Sequence, residues 1–244
     1  MKLEPIAIAR SPWRQKFAIP RQPNLVPEAE GELHFLEPFA DPNSLRGIDQ
    51  FSHLWLVFVF HETAAQGWNA TVAPPRLGGT ERLGVFATRS MYRPNPIGLS
   101  VVEFAGVEQR GKQLILKVRG LDLLDGTPIL DIKPYVPYAD ALPAARGGFA
   151  DSAPGKPLDV HFAAVARVQL QELQQQYPHL EMLVTKVLRQ DPRPAQHVRK
   201  DSRREFAMLL YDLNIRWRFE DEGCEVLEIA PVDHTDFPPR SRDQ

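Results

Sequence analysis

Prolines and glycines divide the first 138 residues into short apolar segments, and this division constrains the fold more than any other feature of the sequence. Each segment has the length of a β-strand, and almost no helical segment separates one from the next. Parallel strands need long crossover connections, so the sequence predicts a mainly β N-terminal domain folded as a small, mostly antiparallel barrel. The predicted strands are 6–9, 32–36, 54–60, 83–87, 101–107, 114–118 and 129–133.

Two of these segments carry further detail. Residues 54–60 are apolar at every position, which predicts a central strand that is buried on both faces. Before it, Asp41 or Asn43 is expected to start a short helix at 43–47, because either side chain can cap a helix N-terminus.

A change of composition marks the end of the barrel domain, which we assign to residues 1–138. Residues 139–160 are rich in Ala, Pro and Gly, which is typical of a linker or a loose covering loop. Residues 161–235 predict a small α+β C-terminal domain, followed by a tail at 236–244. The expected elements are helices at 165–177 and 180–189 and strands at 206–213, 215–219 and 226–229, with a turn at 221–223. The first helix is expected to bury a stripe formed by Val165, Val168, Leu170 and Leu173.

The cysteine count and the absence of long apolar runs exclude several classes of protein. Cys224 is the only cysteine, which excludes an internal disulfide, a Cys-x-x-Cys zinc site and an iron–sulfur centre, and we expect no metal. No run approaches the roughly 18 to 20 apolar residues of a membrane span, and the first residues lack the apolar core of a secretion signal. We therefore expect a cytoplasmic protein.

The charge balance indicates that any nucleic-acid site is local. The chain has 29 Lys and Arg against 31 Asp and Glu. Residues 186–218 hold nine Lys or Arg and four acidic residues, an excess that is suited to phosphates. In the predicted strand 215–219, Arg216 and Arg218 share one face, which is expected to be cationic. A solvated surface explains the same charge run equally well.

The densest cluster of polar side chains lies at 87–98, between and around two prolines. It contains Arg89, Arg93 and Asn95, and prolines lower the entropic cost of ordering such a loop around a ligand. The alternative is a rigid turn with incidental charges. No Gly-x-Gly-x-x-Gly or P-loop motif is present, so a dinucleotide-type fold is excluded. His53 and His61 bracket the apolar strand at about 26 Å from each other, too far to share a metal.

Several motifs together resemble the TsaA/TrmO-like family. They are 17–23, Arg76-Leu77-Gly78-Gly79, 84–90, the string Arg93-Pro94-Asn95-Pro96-Ile97-Gly98, 121–131 and Asp191-Pro192-Arg193-Pro194. The resemblance implies a β-barrel that binds S-adenosylmethionine near a homodimer interface. It also implies methylation of N6-threonylcarbamoyladenosine, the nucleoside just 3′ of the anticodon in threonine tRNAs.

The resemblance also implies which residues bind ligands. The cofactor contacts would be Pro20, Arg21, Gln22, His61, Glu62, Arg89, Leu99, Asp122, Leu123, Leu124 and Asp125. Apart from the resemblance, our substrate candidates are Arg93, Asn95, Asp191, Arg193, Arg216 and Arg218. The last three would hold the anticodon arm, since arginine pairs bidentately with phosphate and stacks on unpaired bases. One departure from the family is Gln196, where members commonly have Tyr after Asp-Pro-Arg-Pro-Ala.

These assignments require that the segments around Gln22, Arg89 and Asp125 converge on one pocket. A carboxylate such as Asp125, or a water molecule, would accept the N6 proton during methyl transfer. Two alternatives keep the same pocket: a methyltransferase that acts on another acceptor, and a regulatory protein that binds S-adenosylmethionine without turnover.

Overall fold

The computed structural model describes residues 2–151, 158–192, 205–220 and 223–232. Its strands are β1 (Ala7–Arg10), β2 (Glu30–Phe35), β3 (His53–Val59), β4 (Thr71–Val72), β5 (Leu83–Gly84), β6 (Ile97–Arg110), β7 (Gln113–Arg119), β8 (Pro128–Pro134), β9 (Asp159–Phe162), β10 (Glu205–Leu210), β11 (Leu213–Glu220) and β12 (Gly223–Pro231). Its α-helices are α1 (His61–Ala64), α2 (Pro137–Asp140), α3 (Ala164–Leu173) and α4 (Leu180–Arg189). Short 3-10 helices cover Lys16–Ala18, Pro42–Leu45, Ile48–Gln50, Pro75–Leu77, Val85–Ala87 and Gly148–Ala150.

Six antiparallel strands of the first half pair in a closed ring, in the order β1, β2, β7, β6, β3, β8. The ring closes because β8 pairs with β3 along one edge and with β1 along the other, where Ala7 faces Ile129. Alternate residues point inward and form the first hydrophobic cluster. The prediction of a mainly β, antiparallel first half is therefore confirmed.

Strand β3 is buried on one face only, so the prediction that both faces are buried is wrong. Leu54, Leu56 and Phe58 are buried in the barrel, whereas Trp55 and Val57 are half-exposed on its outer side. On this outer face, His53 and Trp55 line one wall of a groove.

Other local predictions have mixed outcomes. The short helix near 43–47 is confirmed as Pro42–Leu45, and the side chain of Asp41 accepts a hydrogen bond from Asn43 N at 2.9 Å. The predicted strand 83–87 is largely wrong, because β5 ends at Gly84 and a 3-10 turn follows. Strand β6 is longer than predicted, and it needs glycine at position 98 because a Cβ there would overlap the ring of Phe58.

The second unit is a four-stranded sheet in the order β10, β11, β12, β9, with α3 packed on β12. Strand β9 pairs in parallel with β12, and its first two residues, Asp159 and Val160, fall in the segment that was predicted to be a linker. Helix α4 has the predicted bounds. The predicted stripe on α3 is confirmed for Leu170 and Leu173, which pack against the core, and wrong for Val165 and Val168, which are exposed while Ala166 is buried. Two residues of the predicted turn, Asp221 and Glu222, lie outside the described residues.

Residues 11–29, which we call the arm, connect β1 to β2 and pack against the second unit. Trp13, Ala18, Val26 and Ala29 belong to the same hydrophobic cluster as β10, β11 and α4. The arm therefore joins the barrel to the second unit, and the boundaries between the two domains stay a prediction. None of the helices in the described part of the chain combines the length and apolar character that crossing a membrane requires.

Candidate functional site

Arg89 lies where the arm, the loop 85–96 and the barrel meet. Its Nη1 donates a hydrogen bond to Gln22 Oε1 at 2.5 Å, which links the loop to the arm. Arg89 also lines a groove of about 430 Å³ together with Pro23 of the arm and Leu99 and Val101 of β6. The predicted convergence of Gln22 and Arg89 is confirmed by this contact.

The loop that carries Arg89 is held in shape by its own polar groups. Arg93 Nη1 donates to the carbonyls of Thr88 and Ser90, at 3.0 and 3.2 Å. The Thr88 hydroxyl donates to Val85 O at 2.9 Å, and Asn95 O accepts from Ile97 N at 2.7 Å. Two prolines limit the backbone further. The proposed substrate residue Arg93 thus fixes the loop that presents Arg89, while Asn95 is exposed.

Asp122 lies close enough to Arg89 to interact with its charge. Ser100 Oγ donates a hydrogen bond to Asp122 Oδ1 at 2.6 Å. Burial raises the pKa of Asp122 from 3.8 to about 6, although the Ser100 hydroxyl and the Arg89 cation act in the opposite direction. A carboxylate with this pKa is ionised at neutral pH and is still able to accept a proton.

Asp125, three residues further on, is in a different environment. Its carboxylate accepts a hydrogen bond from Ser11 N at 3.1 Å and forms ion pairs with Arg14 at 2.7 Å and Arg10 at 3.7 Å. Only 6% of the residue is exposed. Asp125 therefore binds the start of the arm to the segment 121–125, and its proposed role as proton acceptor remains a prediction that this geometry does not favour.

The leucines between these two aspartates point into the protein. Leu123 and Leu124 are buried, and their carbonyls accept hydrogen bonds from Ser11 Oγ at 2.7 Å and Thr127 Oγ1 at 2.6 Å. Any contact of these leucines with a cofactor would have to use the backbone.

Four of the remaining predicted cofactor residues lie at two further places, two in the arm and two at the start of α1. Pro20 is buried in the arm and Arg21 beside it is exposed. His61 and Glu62 begin α1 directly after β3, and their side chains approach to 3.8 Å. The hydrogen bond from Phe60 N to Pro96 O, at 2.8 Å, holds this helix beside the end of the loop.

One wall of the groove consists of residues that were not predicted as site residues: His53, Trp55, Tyr135 and Asp140. The rings of Trp55 and Tyr135 lie 5.9 Å apart. Trp55 Nε1 and Val136 N donate to Asp140 Oδ2 at 3.0 and 2.8 Å, and these bonds hold the pKa of Asp140 below its usual value, the backbone bond most. Because residues 54–60 are all apolar, no polar–apolar alternation in the sequence marked Trp55 as a residue of the outer face.

The face of β11 that was predicted to be cationic is not cationic. Arg216 pairs with Glu205 at 2.7 Å and Glu228 at 2.8 Å. Arg218 pairs with Glu225 at 2.8 Å and Glu220 at 3.2 Å. Glutamates on β10, β11 and β12 thus neutralise both arginines, so neither is free to hold a phosphate without breaking these pairs.

The other substrate candidates of the second unit are at the end of α4 or beyond it. Asp191 follows α4 with a left-handed backbone conformation, φ +48°, and its N–H donates to Leu188 O at 3.0 Å. Arg193 and Gln196 lie outside the described residues. Within the described ranges, no cluster of three or more His, Cys, Asp or Glu is placed to hold a metal ion.

Comparisons with known proteins agree with this architecture. Residues 8–141 match the model of the tRNA-methyltransferase O N-terminal domain, and residues 155–232 match that of the TrmO C-terminal domain. The chain is 49% identical over 230 residues, 94% of this chain and 98% of the relative, to the tRNA (adenine(37)-N6)-methyltransferase of Escherichia coli K12. It is 46% identical over 233 residues, 95% of this chain and 98% of the relative, to a Pseudomonas aeruginosa protein provisionally named an S-adenosylmethionine-dependent methyltransferase, RcsF.

A solved structure is similar over nearly the whole chain. The crystal structure of TrmO from P. aeruginosa superimposes with a TM-score of 0.78 at 41% identity, and the match covers 95% of this chain and 97% of that one. Two family models that together span most of the chain, and relatives of nearly equal length, lead to one conclusion. The chain belongs to the tRNA-methyltransferase O family.

Proposed function

We propose that this protein methylates N6 of N6-threonylcarbamoyladenosine at tRNA position 37, beside the anticodon of threonine tRNAs, in the cytoplasm. It is a tRNA methyltransferase that uses S-adenosylmethionine. The observation that supports the proposed site most directly is the meeting of Gln22, Arg89 and Asp122 from three separate segments. The choice of N6-threonylcarbamoyladenosine and of threonine tRNAs is based on the motifs around these residues, which resemble those of the family.

The side chains at this junction fit the charges of S-adenosylmethionine. The cofactor has a carboxylate, an ammonium group, a sulfonium and two ribose hydroxyls, and it supplies an electrophilic methyl group. The Arg89 guanidinium matches the carboxylate, because it presents a planar fork of donors. The Asp122 carboxylate is suited to the ribose hydroxyls or the cationic groups of the cofactor. Leu99, which is 53% exposed, offers an apolar surface to the adenine ring of the cofactor.

The acceptor base is proposed to enter the groove beside Arg89. Unpaired bases bind proteins by stacking on aromatic side chains, and Trp55, Tyr135 and His53 form an aromatic wall there. The groove shares Arg89 and Leu99 with the proposed cofactor site, so a base on this wall lies next to the cofactor. Alignment of N6 with the methyl group is the main catalytic contribution of such a site.

The proton of N6 must leave as the new N–C bond forms and the S–C bond breaks. We assign Asp122 as its acceptor, directly or through a water, in place of Asp125. Asp122 accepts a hydrogen bond from Ser100 Oγ and has a pKa that burial raises to about 6. Asp125 is held by Ser11, Arg14 and Arg10, which already occupy both of its carboxylate oxygens.

A homodimer is proposed because three exposed apolar residues flank the loop that carries Arg89. Phe86 is 77% exposed on one side of it, and Ile97 and Leu99 are 38% and 53% exposed on the other. Exposed apolar residues grouped around a site commonly mark an interface. A second copy of the chain would cover them and complete the walls of the cofactor site.

Transfer of isotope-labelled methyl groups to tRNA tests the function. Purified protein, labelled S-adenosylmethionine and threonine tRNA that carries threonylcarbamoyladenosine should yield label in that nucleoside, identified by mass spectrometry after digestion. The control is the same tRNA made as an unmodified transcript, which should remain unlabelled. Equal labelling of the transcript would contradict the choice of nucleoside. Cofactor binding without transfer to any tRNA would favour the regulatory alternative.

The pH dependence of kcat/KM tests the role of Asp122. Because the ionised carboxylate is the active form, kcat/KM should fall as pH decreases below about 6. Asp122→Asn should reduce kcat by about 100-fold or more and abolish this acidic limb. Ser100→Ala removes a donor that lowers the pKa of Asp122, so the limb should move to higher pH. A limb that stays in place in both variants would assign the titration to another group.

Replacement of Trp55 tests the acceptor groove. Trp55→Ala should raise KM for tRNA roughly 10-fold, because stacking of one base contributes about 1–3 kcal/mol. The dissociation constant for S-adenosylmethionine should change less than twofold. Trp68→Ala is the matched control, since Trp68 is 55% exposed and is not among the residues that line the groove. A variant that loses cofactor affinity but keeps its KM for tRNA would place the cofactor on this wall instead.

Sedimentation velocity tests the homodimer. Wild-type protein at micromolar concentration should sediment at twice the chain mass of 27.6 kDa. Phe86→Asp should shift it toward the monomer, because a carboxylate would be buried without a partner. A Val168→Asp variant, at an exposed valine of the second unit, serves as the control and should stay dimeric. A monomeric wild type would contradict the proposal.

A further inference from the structure

The arm is anchored in the second unit as well as in the barrel that it leaves, where Asn24 N and Nδ2 donate to Gly120 O at 3.1 Å and Val101 O at 3.0 Å. Trp13 is fully buried in the second hydrophobic cluster and pairs with Leu210 at the end of β10. The carbonyl of Pro12 accepts a hydrogen bond from Tyr211 N at 2.8 Å. At the far end of the arm, Glu28 forms an ion pair with Lys186 of α4. Strand β10 and helix α4 therefore hold both ends of the arm.

Between these ends, an aromatic contact fixes the middle of the arm. The ring of Phe17 stacks on that of Trp217 in β11, with centroids 5.8 Å apart, and Phe206 of β10 stacks on Trp217 at the same distance. Trp217 is fully buried, and its Nε1 has no hydrogen-bond partner among the described residues. Because its indole N–H makes no hydrogen bond within the described residues, Trp217 stabilises this contact through the packing of its ring.

The same arm forms part of the proposed cofactor site. Gln22, which binds Arg89, follows Phe17 by five residues, and Pro20 between them limits the freedom of the chain. The arm also holds the segment 121–125 that contains Asp122. Trp13 Nε1 donates to Leu121 O at 2.7 Å, and Asp125 N donates to Trp13 O at 2.8 Å.

We infer that the hydrophobic core of the second unit positions the cofactor-binding arm, and that Phe17 and Trp217 are positioning residues for S-adenosylmethionine. This inference rests on the proposed cofactor site at Gln22, Arg89 and Asp122. If the arm leaves its place, only a fraction of molecules has Gln22 beside Arg89, and the apparent dissociation constant rises by the inverse of that fraction. The second unit thus acts on cofactor binding through its contacts with the arm.

Calorimetric titration with S-adenosylmethionine, in the absence of tRNA, tests the inference on the full chain. Phe17→Ala removes the stacking contact without touching Gln22, Arg89 or Asp122, and it should weaken cofactor binding at least 10-fold. In turnover assays its KM for the cofactor should rise while kcat at saturation stays within threefold of wild type, because bound cofactor restores the arm. Phe17→Leu retains bulk and should show a smaller loss.

Leu170→Ala is the matched control. Leu170 is buried in the same cluster, but on α3, which packs on β12, two strands away from β10. The Leu170→Ala variant should lower the melting temperature as much as Phe17→Ala does. Its dissociation constant for S-adenosylmethionine should stay within twofold of wild type. All titrations are made well below the melting temperature of each variant, and Phe17→Leu replaces Phe17→Ala if the latter does not fold.

The possible results separate the two proposals. Wild-type protein that does not bind S-adenosylmethionine would remove the proposed function. Wild-type protein that binds, together with a Phe17 variant of equal affinity, would overturn only the role of the arm. Equal weakening by Leu170→Ala would also overturn it, because the effect would then reflect general loss of stability.

Discussion

Burial of Trp13 between the barrel and the second unit is the interaction on which the arrangement of the site depends. The indole N–H reaches Leu121 O, the backbone pairs with Leu210, and the ring lies in the hydrophobic cluster of the second unit. A buried indole whose N–H is bonded gains the apolar burial without the cost of an unpaired donor. Trp13 thus fixes the arm, the segment 121–125 and β10 relative to one another. The arm in turn places Gln22 beside Arg89.

The closed barrel supplies the other fixed surface. Alternate residues of β3 and β6 point into the barrel, and the residues between them lie on its outer face. There Trp55 and Leu99 become walls of the groove, and Arg89 is brought to them by a loop that Arg93 and two prolines hold in shape. Catalysis by alignment requires this kind of rigid support, because small displacements of the reacting groups reduce the rate strongly.

Much of the fold was predictable, because apolar periodicity and turn residues report local structure. Most of the strands, the cap at Asp41 and the whole of α4 follow from such local signals. The errors arise where the contacts of a residue depend on other residues that are distant in the sequence. The arginines of β11 could be assigned to one face from the sequence, but the glutamates opposite them are known only from the strand register. Likewise, α3 faces the sheet with Ala166 and Leu170 and not with Val165 and Val168, because its orientation depends on how it packs on β12.

The candidate site shows the same limit in its two aspartates. Asp122 and Asp125 are three residues apart in one motif, and the sequence gives no reason to assign them different roles. The structure separates them by partners that lie far away in the chain: Arg10, Arg14 and Ser11 bind Asp125, whereas Ser100 donates to Asp122. A carboxylate surrounded by cations holds structure, whereas one that is buried with few donors has a raised proton affinity and suits chemistry. The environment, and not the residue type, therefore assigns one aspartate to the arm and the other to the proposed reaction.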